Sequence, residues 1–385
     1  MKNILFVHQS AELYGSDKMA LFLVTAMSKR NHTVFVVLPS KGPLFDKLEK
    51  ENITIIIAPV IKIARNMFTL KNIFSIPFQI FNSFKIIKKQ LGDTKIDIVH
   101  SNTLAVLIGA FYAKWFGIKH LWHVHEIIEH PKFISDLFPK LVTFFSDVVV
   151  FNSKATQDFM IHKYPKLQPK ARVVLNGFDS NHIESSKDTI NEFRKRVFNA
   201  NSDEVVIALV GRISRWKGHQ LALDAFSKVV RNYPQCKLVF VGDTPPNQEN
   251  FLIMVEQKIA EYQLKDKVVL IPFHNEINTI WESIDIAIVP STEPEPFGLV
   301  AIEAMQASKP VIAANHGGLV EIVIPEVTGI LFEPNNQEAL AHALEELIGD
   351  SEKRNRLGKN GSQRAKEYFS LQTHSDNFEK IYQTL

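Results

Sequence analysis

The sequence predicts an α/β protein built as two doubly wound domains. Three observations carry this expectation. The chain is 385 residues long, enough for two domains of ordinary size. It opens with an apolar strand, an amphipathic helix and a second apolar strand, the signature of a parallel sheet. The same alternation restarts near residue 205, after a polar stretch. A hydrophobic content of 45% with 22% charged residues marks a globular chain.

In the first half, 3–9 (NILFVHQ) reads as a buried strand and 16–30 as a helix with Ser16 as its N-cap. Residues 32–39 give the next strand, and the loop between strand and helix holds one glycine, Gly15. A dinucleotide fingerprint needs three glycines at fixed spacing, so NAD and FAD are poor ligands for this loop. Residues 96–102 are a further strand, and the strand of 120–131 (HLWHVHEIIEHP) ends in a cluster of histidines and acids. The cluster does not suit a helical zinc motif. His125 and His130 are five apart, about 140° out of line on a helix. Residues 142–151 read as a strand, followed by an Asn152-Ser153 cap that opens a helix. Residues 171–180 close the domain, with Asn176, Gly177 and Asp179 as turn residues.

The stretch 61–90 differs from the rest. Lysine, arginine and phenylalanine recur in it without a single acid. It is too charged to span a bilayer but suits an interfacial surface. Pro77 is expected to break it into two helical pieces.

The polar run 181–204 is expected to connect the domains. Beyond it, 205–210 reads as a strand, with Gly211 and Arg212 at its end and Lys217-Gly218 just before a helix. This is not a P-loop, because the spacing and last residue fail. Arg212 and Lys217 nevertheless leave the carboxyl edge of a parallel sheet, where such folds bind ligands. A guanidinium fork and a mobile ammonium both suit phosphate oxygens. Further strands follow at 237–243, 268–273 and 284–291; 336–369 reads as amphipathic helix.

Residues 291–318 hold the most informative stretch. Pro294 and Pro296 keep a loop out of helix, and 297–307 then reads as an inner helix, apolar nearly all round. A helix beginning near Phe297-Gly298 directs unpaired N–H groups and partial positive charge at what precedes it, a site for a phosphate. A carboxylate such as Glu295 is repelled there unless it faces an uncharged polyol. Glu303, an acid on a mostly apolar helix, would accept from a ribose diol. Two acids flanking an anion site describe a nucleotide-sugar pocket.

Glu295 and Glu303 are separated by seven residues, with Phe297-Gly298-Leu299 between them. This resembles the signature of the retaining glycosyltransferases of family 4, which have the GT-B fold: two Rossmann-like doubly wound domains facing across a cleft. The resemblance extends in order over nearly the whole chain. It implies that Glu295 touches the donor sugar, Glu303 the ribose, and backbone N–H groups at Phe297, Gly298 and Leu299 the diphosphate. It places Arg212 and Lys217 on the diphosphate, Phe273 beside the base, and His125 beneath the donor sugar. His123 remains a packed histidine. Gly15 matches the second glycine of a family Gly-Gly pair near the phosphates; Tyr14 stands where the first would be. His316, Gly317, Gly318 and Glu321 are ranked as turn residues.

The domains implied are 1–180, on the acceptor side, and 205–368, binding the nucleotide sugar. A helix in 369–385 is expected to pack back on the first domain. The expected reaction is transfer of a sugar, with retained configuration, from a UDP- or GDP-sugar to a glycan or lipid-linked acceptor in surface polysaccharide or glycan assembly. His125, Glu295, Arg212 and Lys217 are the residues nearest the chemistry, and domain closure would limit hydrolysis. Arg212, Lys217 and the helix N–H groups do the work a divalent metal does elsewhere, and the chain contains no Asp-x-Asp. No cofactor or metal is therefore expected. Alternatives are a nucleotide-sugar epimerase or a phosphorylase on the same fold, or a non-catalytic nucleotide-sugar-binding protein.

A net charge of +3 forces no nucleic-acid footprint. The lone Cys236 suits a reducing compartment. The first apolar run, 4–7, is too short for a signal peptide, and no 18-residue apolar run exists. The expected location is cytoplasmic, with peripheral association at the inner membrane face through 61–90.

Overall fold

The computed structural model describes residues 1–13, 15–61, 70–178, 185–274 and 276–385, with side chains for all of these but 70–74. Tyr14, Asp179 and the 62–69 part of the basic stretch lie outside the described residues. The chain divides into two units, one made of 1–177 with 371–385, the other of 178–370.

The first unit runs β1 (Asn3–His8), α1 (Gly15–Lys29), β2 (Thr33–Leu38), α2 (Pro43–Lys50), β3 (Thr54–Ile57), α3 (Leu70–Leu91) and β4 (Ile98–Asn102). It continues through α4 (Ile108–Phe116), β5 (Lys119–Val124), α5 (Lys132–Phe145), β6 (Val148–Phe151), α6 (Lys154–Lys163) and β7 (Ala171–Val173). Among the described residues these strands form one parallel sheet in the order β3-β2-β1-β4-β5-β6-β7. Strand side chains alternate between faces. Leu5, Val7, Val99 and Trp122 join one core layer with Ile87 of α3, Ile108 of α4 and Val142 of α5. Ile4, Phe6, Ile98 and Leu121 join the other, against Leu23 of α1.

The second unit contains α7 (Lys187–Val197), β8 (Val205–Val210), α8 (His219–Asn232), β9 (Cys236–Val241), α9 (Asn250–Glu261), β10 (Val268–Ile271), α10 (Ile277–Ser283) and β11 (Ile286–Val289). It ends with α11 (Leu299–Gln306), β12 (Val311–Ala314), α12 (Leu319–Ile322), β13 (Gly329–Phe332), α13 (Gln337–Gly349) and α14 (Ser351–Tyr368). Its sheet, also parallel, has the order β10-β9-β8-β11-β12-β13. The last helix, α15 (Leu371–Thr384), belongs to the first unit, where Phe378 and Tyr382 are buried in the α1 layer.

Five local expectations are corrected. Helix α1 begins at Gly15, so Ser16 lies inside it rather than capping it. Pro77 does not break α3, which continues to Leu91 because Ile80, Phe84 and Ile87 anchor it to the core. Residues 142–145 are the last turn of α5, not strand; Phe144 and Phe145 are good strand formers, but the amphipathic face of the preceding residues wins. Residues 187–197 of the expected connection form α7 inside the second unit, where Arg194 reaches the Ser283 carbonyl at 3.0 Å and Asp285 at 3.1 Å. The helical stretch after 336 is two helices, because the Asp350 side chain accepts from Lys353 N and starts a new one.

Candidate functional site

In each sheet the strand order reverses once, between β1 and β4 in the first unit and between β8 and β11 in the second. Loops leaving the carboxyl ends of two such strands part to opposite sides and open a crevice. The candidate residues of the second unit gather at one of these points. Gly211 and Arg212 follow β8, and Lys217 lies just before α8. Pro290, Ser291 and Glu295 follow β11 and lead into α11. The two loops are tied by Thr292 N donating to the Trp216 carbonyl at 2.8 Å.

Glu295 is buried, and its Oε1 accepts from Lys217 Nζ and from Ser291 Oγ, each at 2.6 Å. The Lys217 ammonium also sits 4.2 Å from the centroid of the Trp216 ring. Gly318 N donates to the Glu295 carbonyl at 2.7 Å, and His316 Nε2 lies 2.8 Å from the Ser291 carbonyl. The turn residues 316–318 therefore hold the Glu295 loop from the far side.

Helix α11 starts immediately after this loop, and Gly298 caps it with φ 114°. That φ is one L side chains rarely adopt, so glycine suits the entrance to the helix; a Cβ there would also push on Leu319 Cδ2, 2.6 Å away. Gly218 plays the same part before α8: φ is 81°, and a Cβ would lie 1.9 Å from the Pro290 carbonyl oxygen. Ala301 N, in the first turn of α11, donates to the Gly298 carbonyl at 3.0 Å, and the N–H groups of Leu299 and Val300 before it have no intrahelical acceptor. Phe297 is buried against Phe369, and Leu299 is half-buried. Glu303 is half-buried on α11, with Oε2 accepting from Trp281 Nε1 at 3.2 Å. Arg212 is exposed. Phe273 follows β10 with its ring exposed, and its backbone N–H donates to Asp243 at 3.0 Å.

In the first unit, Gly15 opens α1 and His125 follows β5. His125 is buried, and its Nε2 lies 2.8 Å from Asn102 Oδ1. Its backbone N–H donates to Glu126 at 3.0 Å. Burial, then the neighbouring His8 and His374, lower its pKa to about 3, so the ring is neutral. His123 is fully packed, its ring 3.9 Å from that of His125. Burial lowers it well below its ordinary value. Glu126, which accepts from Leu104 N at 3.0 Å, is pushed by burial up to about 7.

Several partners escaped sequence reasoning: Ser291, Trp216 and Trp281 in the second unit, and His8, Asp17 and Asn102 in the first. Ser291 follows a strand end, and that position was a usable signal. Trp216 is the chain neighbour of Lys217, His8 and Asn102 are paired by strand register, and Trp281 and Asp17 are brought in by helix packing.

The pattern described as Glycosyltransferase Family 4 matches residues 15–182, and that described as Glycosyl transferases group 1 matches 190–364. An uncharacterized glycosyltransferase of Methanocaldococcus jannaschii is 29% identical over 328 residues, 84% of this chain and 85% of its own. The capsular polysaccharide biosynthesis glycosyltransferase CapM of Staphylococcus aureus is 24% identical over 367 residues, covering 93% and 91%. The crystal structure of Anabaena HepE in complex with UDP and glucose superposes with a TM-score of 0.86 at 24% identity, covering 100% of both chains. Two Rossmann-like parallel-sheet units with this succession of matches define a GT-B glycosyltransferase. Its sequence places it beside the bacterial and archaeal transferases just described.

Proposed function

We propose that the protein is a retaining, metal-independent transferase that moves a sugar from a nucleoside diphosphate sugar, a UDP- or GDP-sugar, to an acceptor hydroxyl. The observation that carries this is the convergence of Lys217, Glu295 and the α11 N-terminus at the β8/β11 reversal. Breaking the glycosidic bond loads negative charge onto the departing diphosphate. Arg212, Lys217 and the N–H groups at Gly298 and Leu299 answer that charge, at roughly 1.5–3 kcal/mol for each charge-assisted bond. Glu295 engages the sugar and Glu303 the ribose; Phe273 borders the base. Lys217 offsets the charge of Glu295, which lets an acid stand beside a pyrophosphate. Gly15 and His125, both in the first unit, are the residues that the family resemblance assigns to donor phosphate and donor sugar. With a donor phosphate oxygen accepting the acceptor's proton, the reaction needs no enzyme nucleophile and retains configuration.

The acceptor is a lipid-linked glycan, and the protein works cytoplasmically against an anionic membrane face; nucleic acid is not a partner. Surface chemistry supports this. Among the described residues no helix is long and apolar enough to cross a membrane. Yet Phe78 and Phe81 on α3, Trp115 on α4, and Phe133 and Phe144 on α5 are all more than half exposed. Lys85, Lys88, Lys89, Lys114, Lys132 and Lys140 are exposed on the same three helices. Lys114 lies 4.8 Å from the Phe144 ring, and Phe84 packs against Trp115 and Phe116, joining the helices into one surface. The single acid, Asp136, is bound by Lys163 at 2.9 Å. Exposed rings interleaved with ammonium groups suit a headgroup layer. HepE, crystallised with UDP-glucose, and CapM, named for capsule synthesis, are consistent with this donor and pathway class.

The test is release of nucleoside diphosphate from UDP-, GDP- and ADP-sugars, with and without EDTA. Release should occur with one base, survive EDTA, and fall at least a hundredfold in Arg212→Ala and Glu303→Ala. Release unchanged in both variants overturns the site. An isomerised nucleotide sugar formed without acceptor would identify an epimerase instead.

A further inference from the structure

Asp17, His8, Asn102 and His125 form an unbroken hydrogen-bonded file inside the first unit. Asp17 Oδ1 lies 2.6 Å from His8 Nε2, His8 Nδ1 lies 2.9 Å from Asn102 Nδ2, and Asn102 Oδ1 lies 2.8 Å from His125 Nε2. All four side chains are buried. The file starts at the β1/β4 reversal, where strand register sets His8 beside Asn102. It ends one strand over, just past β5.

The direction of donation along the file is fixed from one end. A carboxylate only accepts, so His8 donates to Asp17 from Nε2. The Asn102 amide nitrogen, which faces His8 Nδ1, can only donate, so Nδ1 carries the lone pair that accepts from it. The amide oxygen is left facing His125, which must donate to it from Nε2. A neutral imidazole has one N–H, so the lone pair of His125 is confined to Nδ1.

We propose that Asp17, His8 and Asn102 are positioning residues that lock His125 in the Nε2–H tautomer, so that it meets a sugar hydroxyl as an acceptor through Nδ1. The functional half of this rests on the reading of His125 as a donor-sugar contact; the tautomer itself does not. An unlocked imidazole would exchange tautomers and rotate, and some of its states would present an N–H where an acceptor is needed. The lock therefore selects for an O–H donor at that position of the ligand and against a group that can only accept.

The experiment uses the full chain labelled with 15N-histidine. The ring-nitrogen resonances of His125 are identified by their loss in His125→Gln. Wild type should show His125 protonated at Nε2 and bare at Nδ1. Asn102→Leu should average the two nitrogens, and Asp17→Asn should do so in part. Nucleoside diphosphate release should fall on the order of ten- to a hundredfold in kcat for both, with a smaller change in KM. Ser10→Ala removes a hydroxyl that donates to the same Asp17 Oδ1 at 3.1 Å; the carboxylate still accepts from His8, so the Nε2–H tautomer of His125 should stay in place. A wild-type His125 protonated at Nδ1, or one unmoved by Asn102→Leu, overturns the lock. A changed tautomer with unchanged release overturns the assignment of His125 to the donor site while leaving the lock standing. The wild-type spectrum decides the first point even if a variant fails to fold.

Discussion

The ammonium of Lys217 lies 2.6 Å from Oε1 of Glu295, a residue 78 positions later in the chain. Both side chains are largely withdrawn from solvent, at 15% and 6% exposure. Neither group can be lost quietly. In a double-mutant cycle of Lys217→Met and Glu295→Gln, urea unfolding should give a coupling of about 1–3 kcal/mol. Each single change should also lower nucleotide-sugar turnover by at least tenfold. Additive stabilities would mean that the pair is not formed in solution.

Glu303 offers a cleaner separation of roles. Glu303→Gln keeps an oxygen for Trp281 Nε1 but removes the charge. Stability should stay within about 0.5 kcal/mol of wild type. Donor affinity, read by calorimetry with the nucleoside diphosphate, should weaken by roughly tenfold or more, because a carboxylate is the better acceptor for a diol.

Gly298→Ala places a side chain at φ 114° and drives its Cβ towards Leu319. The expected loss is roughly 1–3 kcal/mol of stability, together with weaker diphosphate binding as the α11 entrance shifts. Gly92→Ala is the control: φ is 56° there but no atom lies within 4 Å, so the loss should be smaller and turnover intact.

The chain should lose stability on mild acidification. Burial holds His120 and His374 at about 4 and His125 and His219 at about 3, and lowers His100 and His123 well below their ordinary value. Unfolded histidines take protons near 6.5. Between about 6.5 and 4 the unfolded chain therefore binds more protons, and each such histidine removes up to about 1.4 kcal/mol per pH unit. Glu126, raised to about 7, acts in the opposite sense between its unfolded value of about 4.5 and 7. Six histidines outweigh it. Thermal midpoints should fall steadily from pH 6.5 to 4.5; a flat profile would show that these rings are not buried neutral.

Vesicle binding checks the lysine and aromatic surface of α3, α4 and α5. Replacing Lys85, Lys88 and Lys114 by glutamine should weaken binding to anionic vesicles by about 1 kcal/mol per lysine and leave neutral vesicles unaffected. Phe78→Ser with Trp115→Ser should weaken both. Binding that ignores the lysines would remove the membrane from the proposal.

Most strands could be read from the sequence because a strand buried on both faces is a short apolar run between turn residues, as in 205–210 and 286–289. Periodicity failed where two signals overlapped. Pro77 argued for a break that the packing of Ile80, Phe84 and Ile87 overrides, and the aromatic residues at 144 and 145 imitated a strand. Lys217 and Glu295 were each recognisable as site residues, but their contact was not: it exists only because β8 and β11, separated in sequence by β9 and β10, are neighbours in the sheet. The file from Asp17 to His125 was hidden for the same reason, since register alone sets His8 beside Asn102.

Helix α15 comes after the entire second unit in the chain, yet Phe378 and Tyr382 fill the α1 side of the first sheet, with the Tyr382 hydroxyl 2.6 Å from His100 Nδ1. During synthesis the stretch 178–370 has all its own strands before 371–385 has emerged. The earlier-made sheet must wait with one apolar layer unsealed until 371–385 has left the ribosome. Removing 371–385 should therefore damage the amino-terminal half, far away in sequence, and leave the adjoining half folded.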